Sequence, residues 1–171
     1  MTQKEFNQAA IAPGTRTTFT GQVAGYQVQA KQDQHHYIYR YDPAIVLRNI
    51  QCQHQLVLPQ TVFNYSKIFW KLGYLPSGTI LQFNATLVAA NENASQLYSH
   101  HLVHPTKLQI VHRTATTPSK LVPFNNHDAL VGMIMEQNQH TKTTKSLVYD
   151  RFVQSYHDWV HQQTSQRSDQ R

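Results

Sequence analysis

At 171 residues with 40% apolar content the chain holds one domain with a real core and room for an appendage. Its formal charge of +6 rests on only 14% charged residues, a basic bias that permits a polyanionic partner without demanding one. The lone Cys52 excludes an internal disulfide and a paired-cysteine metal or redox site, the opening MTQKEFNQAA has no apolar leader core, and no apolar run approaches the roughly 20 residues that span a bilayer, so the expected compartment is the cytoplasm.

Residues 1–13 are polar and read as a flexible arm. From Arg16 to Ala30, Phe19 and Val23 alternate with polar residues before Tyr26, Val28 and Ala30 take over. Gly21 and Gly25 interrupt this run, which predicts one long, bent first strand. After a KQDQ loop, HHYIYRYDP sets Tyr37, Tyr39 and Tyr41 two apart, hence on one face of a strand, with Arg40 on the other. Asp42-Pro43 is expected to turn that strand into a second β-branched run, Ala44 to Gln53, and so to make a hairpin.

From Pro59 to Gly73 the spacing of Val62, Phe63, Ile68, Phe69 and Leu72 predicts a helix stopped at Gly73. Residues 78–90, GTILQFNATLVAA, give the clearest period-two pattern in the chain. A final strand region spans LYSHHLVHPTKLQIVHRT, where Pro105 implies an edge position or a break. A linker over 115–125 leads to a helical extension over 126–164. It comprises a short helix capped by Asn126 or Asp128 and a stronger one from Ser146 to Gln163 with an aromatic stripe. The tail 165–171 is expected to be disordered.

The predicted order β-β-β-α-β-β over residues 14–114, with its glycine-bent first strand, resembles the OB-fold, a small five-stranded Greek-key barrel that binds oligonucleotides or oligosaccharides. The segment LPSGTILQFNATLVA is similar to a fourth-strand pattern, G-D-x-I-x-F-x-A-x-V, of small OB-like proteins of bacterial and phage genomes, with Thr79 in place of the acid. The expected fold is therefore mainly β, an OB-like five-stranded barrel with a C-terminal helical extension.

The resemblance implies binding on the second and third strands and the loops beside them. That surface takes in Tyr37, Tyr39 and Tyr41; Tyr37 and Tyr39 would stack on bases, Arg40, Arg48 and Lys31 would hold phosphates, and the loop from Asn91 to Tyr98 would frame them. Lys107 and Arg113 would extend the basic track on the fifth strand, unless they are a solvated face. The opposing reading is that the tyrosines pack under neighbouring loops.

Among the other candidates, His100, His101 and His104 lie close in sequence, His112 shares the strand parity of His104, and His157 and His161 stand one turn apart in HDWVH. That spacing lacks the glutamate and third ligand of a zinc site, so no metal is expected; charged below about pH 6.5, such histidines would favour anions. Cys52 and His54 would share a strand face with no orienting acid, which favours a structural thiol. No nucleotide loop, nucleophile elbow or carboxylate pair is present, so neither catalysis nor a cofactor is expected.

Tyr149, Phe152, Tyr156 and Trp159 on the last helix either dock within the protein or form a partner or self-association surface, with Lys142, Lys145 and Arg151 near its entrance. Two functions follow. One is non-catalytic binding of single-stranded DNA or RNA; the other is protein interaction or assembly through the C-terminal amphipathic helix.

Overall fold

The computed structural model describes residues 11–32, 39–89, 100–114, 121–138 and 147–168. Its elements are β1 (Arg16–Gln32), β2 (Tyr39–Cys52), β3 (Gln55–Asn64), α1 (Lys67–Trp70), β4 (Ile80–Ala89), β5 (His100–His112), α2 (His127–Gln137) and α3 (Leu147–Ser168). The protein is mainly β, and its five strands form one antiparallel sheet in the order β3-β2-β1-β4-β5. The sheet is not closed: β3 and β5 stand at its two ends.

The expected element order is present, but on different segments. Asp42-Pro43 does not turn; β2 runs straight through it. Pro43 lies where β3 runs out, and its carbonyl accepts the N–H of Tyr65 at 2.8 Å, so its missing donor interrupts little of the ladder. The hairpin turn falls instead at Gln53-His54, both with φ near +50 to +64°, the left-handed pair that matches strand twist in a two-residue loop.

Residues 55–64 form the third strand rather than the start of a helix, and the helix shrinks to Lys67–Trp70. Thr61 and Phe63 alternate inward with Val62 and Asn64 between and after them, a period-two run that a helical reading overlooks, and Val57 and Leu58 are both buried nearer the turn. Pro59 is tolerated inside this strand because β3 is an edge. Turn residues at 53–54 also separate Cys52, which is buried, from His54, which is exposed, so the expected shared face does not exist.

The described residues divide into two compact units. One draws on Met1–Gly25, Ile45–Phe63 and Leu75–Thr117, the other on Tyr26–Ala44, Asn64–Tyr74 and Pro118–Arg171. β1 passes from one to the other at Gly25, whose φ of +153° is a conformation that side-chain-bearing residues avoid.

The first unit buries Phe19, Val23, Leu47, Ile50, Phe63, Leu81, Phe83 and Leu87. Phe83 lies 6.2 Å from Phe19 and meets Phe63 edge-on at 5.6 Å. Opposite residues of an antiparallel pair share a face, and the register Phe19↔Phe83 and Gly21↔Leu81 sets the inward set of β1 and β4. β5 pairs with β4 through three register shifts, and His104 and Lys107 on it have positive φ, so this Pro105-bearing edge is heavily bulged.

In the second unit Tyr65 is 2% exposed and packs on Tyr26 (4.8 Å), Phe69 (6.3 Å) and Phe124 (6.3 Å). Trp70 stacks on Phe124 and donates its indole N–H to the Tyr65 carbonyl at 2.9 Å. The stretch 121–125, expected as linker, is thus partly core, with Pro123 buried as well. Asn126 caps α2, its Oδ1 accepting the Ala129 N–H at 3.0 Å. α3 continues past Gln163 to Ser168, into the expected tail. Gly132 lets α2 and α3 meet backbone to backbone.

Candidate nucleic-acid interface

β2 carries the tyrosine row, of which Tyr37 and the loop from Asn91 to Tyr98 lie outside the described residues. Tyr39 is 54% exposed. Tyr41 is not an open ring: it meets Phe152 of α3 edge-on at 5.4 Å. Arg40 and Asp42, two apart, share a strand face, and Arg40 Nε donates to Asp42 Oδ1 at 2.6 Å while Lys31 Nζ reaches Asp42 Oδ2 at 3.2 Å. Burial pushes the Asp42 carboxyl up, but hydrogen bonds and charge from Arg40 and Lys31 outweigh it and hold the group below the usual carboxylate range. Two expected phosphate ligands therefore share one internal anion.

Arg48, Lys107 and Arg113 belong to the first unit, apart from the tyrosines, and all three are exposed. Asn49 has φ +53° and adds an outward residue, so Leu47 and Ile50 both face the core while Arg48 points out. There Arg48 Nε donates to Gln22 Oε1 at 3.0 Å, and Gln22 Nε2 donates to the Gly78 carbonyl at 3.4 Å.

Along the same outward face the register pairs Arg16↔Thr86, Thr18↔Asn84, Thr20↔Gln82 and Gln22↔Ile80. Thr18 Oγ1 donates to Asn84 Oδ1 at 2.9 Å. At the far end Arg16 donates to the His104 carbonyl at 3.1 Å and to the Thr106 hydroxyl. This ladder of hydroxyls and amides between two arginines was missed in the sequence. Its signal was there: from Pro43 to His127 the one acidic residue is Glu92. None of the described residues of the first unit is an Asp or Glu; Glu5 and Glu92 lie outside them.

On α3, Phe152 and Tyr156 are buried, Tyr149 and Trp159 half-buried, and Arg151 lies 4.7 Å over the Phe152 ring. Lys142 and Lys145 lie outside the described residues. His157 Nε2 meets Glu136 Oε1 of α2 at 2.5 Å. Among the described residues no group of three or more His, Cys, Asp or Glu is placed to hold a metal ion, and no helix is long and apolar enough to cross a membrane.

Among the described residues the site is thus a polar sheet surface that carries arginines and a lysine. No family model, curated protein or solved structure matches this chain.

Proposed function

We propose that the protein binds single-stranded DNA or RNA, without catalysis or cofactor, through an OB-like sheet. The observation that carries this reading is the segregation of charge. An ordinary solvated surface intersperses both signs. The described part of the sheet unit instead carries arginine and lysine with no carboxylate, while Asp42, Asp128, Glu136, Asp150 and Asp158 all lie in the second unit. A face that carries cations attracts phosphodiesters.

The order β3-β2-β1-β4-β5 is that of a five-stranded barrel cut between β3 and β5, which supports the OB-like assignment. Tyr39 adds an exposed ring on which a base can stack. The assembly reading draws less support, because Phe152, Val153 and Tyr156 are buried.

A competition assay tests the reading. A fluorescent single-stranded oligomer bound to the protein should be displaced by unlabelled single strands at much lower concentration than by duplex or by polyglutamate of equal charge. Equal displacement by all three would reduce the activity to generic polyanion binding and contradict the proposal.

A further inference from the structure

We infer that the nucleic-acid strand is held on the outward face of β1 and β4, with Arg16 and Arg48 gripping phosphates and Thr20, Gln82 and Asn84 between them meeting bases and sugars. This deepens the proposed function and rests on it. The tyrosine strand pointed elsewhere, so the placement needs its own support.

That support is geometric. Arg16 and Gln22, the partner of Arg48, are six residues apart on β1, roughly 20 Å at the usual rise of a strand, a span that suits a run of phosphates better than one small anion. At one end Arg48 is anchored through Nε, which leaves its terminal nitrogens as a fork for a phosphate. At the other, Arg16 is anchored by the His104 carbonyl and the Thr106 hydroxyl. Both cations are oriented by neutral acceptors rather than neutralised by acids. Lys31 and Arg40, by contrast, already share Asp42.

Between the arginines, Asn84 has its Oδ1 engaged by Thr18, which turns the amide nitrogen into the available donor. Gln82 is exposed and offers both a donor and an acceptor. Amides and hydroxyls of this kind match any base edge, which predicts little preference for sequence. The proposal commits to a single-stranded phosphodiester on the ground of charge complementarity.

The test is a fluorescence-anisotropy titration of a labelled mixed-sequence single strand against four full-length proteins: wild type, Gln82→Glu/Asn84→Asp, Arg16→Gln/Arg48→Gln and Tyr39→Ala. The first double variant is nearly isosteric and places two carboxylates in a face whose described residues include no acid, so circular dichroism and melting should not change while affinity falls tenfold or more. In the arginine double variant the slope of log affinity against log salt should flatten by about 1.4, at about 0.7 per lost phosphate contact.

If wild type binds and both double variants bind as wild type does, the placement on β1 and β4 is wrong and the proposed function survives, the more so if Tyr39→Ala alone loses affinity. If wild type fails to bind at the lowest salt, both fall. Should Arg16→Gln disturb folding through its lost bonds to β5, Gln82→Glu/Asn84→Asp still decides.

Discussion

Replacing Gly132 by alanine separates packing from helix propensity. A methyl carbon there would stand 1.9 Å from the Phe152 carbonyl oxygen, 2.5 Å from its carbon and 3.0 Å from the Val153 nitrogen. Close C···O contacts lie at about 3.3 Å, so α2 and α3 must part by roughly 1.4 Å. These atoms are backbone, not the end of a flexible side chain, so relief requires moving a helix. Opening a gap of about 1 Å forfeits up to roughly half of the dispersion energy along the seam, where Leu130, Met133, Phe152, Val153 and Tyr156 are buried.

Overpacking therefore belongs at the upper end of its range, about 3 kcal/mol, against a propensity gain of about 1 kcal/mol for glycine to alanine in a helix. The net loss is about 2 kcal/mol, which lowers a urea midpoint by about 1 M at an m-value of about 2 kcal/mol/M. Both tryptophans, Trp70 and Trp159, lie in the second unit, so their fluorescence in a urea titration reports on the unit concerned. An unchanged or raised midpoint would refute the backbone-contact reasoning, because propensity alone predicts a rise of about 0.5 M.

Three further outcomes are expected. Asp42→Asn should cost about 1 kcal/mol in denaturant titrations at neutral pH, because its two cationic partners are exposed. Since the folded carboxyl titrates below the usual aspartate range, its contribution is full above that range and lost as the pH falls through the folded value, and an acid-unfolding series in which Asp42→Asn loses as much stability as wild type would contradict this. Burial pushes the Tyr65 phenol up to about 12, with Tyr26 acting weakly the other way, so the unfolded chain gives up this proton first and stability should fall between about pH 10 and 12 by roughly 1.4 kcal/mol per pH unit, a loss that Tyr65→Phe should lack when followed by urea midpoints. Asn126→Ala removes the acceptor for the Ala129 N–H and should destabilise α2 by about 1 kcal/mol, read as a lower melting temperature in far-ultraviolet circular dichroism.

The period-two patterns were the legible part of the fold. Residues 80–89 alternate without interruption and are β4, and the aromatic stripe of α3 marks a face that is largely buried. Elsewhere local signals pointed the wrong way. Asp42-Pro43 has turn chemistry, yet the end of β3 removes the usual penalty for a proline there, whereas Gln53-His54 makes the turn without Asn or Gly. Val62 and Phe63 fitted a helical spacing with Phe69, and nothing local reveals that Pro59 sits on a sheet edge.

The candidate site was legible in its residue types and less so in its geometry. Alternation correctly set Arg40 apart from the tyrosines, but the i+2 partner Asp42 was read as a turn residue and not as a counter-ion. The polar residues Thr18, Thr20, Gln22, Gln82 and Asn84 carry no charge or ring, so they drew no notice until the β1–β4 register set them side by side.

The central claim is tested most directly by titrating wild-type protein into a labelled mixed-sequence single strand of DNA, and into the matching RNA, across a series of salt concentrations. The account predicts micromolar or tighter binding at low salt that weakens linearly in log affinity against log salt, with a slope reflecting at least two phosphate contacts, about −1.4 or steeper. No binding to either strand at the lowest salt, where a chain of formal charge +6 binds a polyanion best, would contradict it.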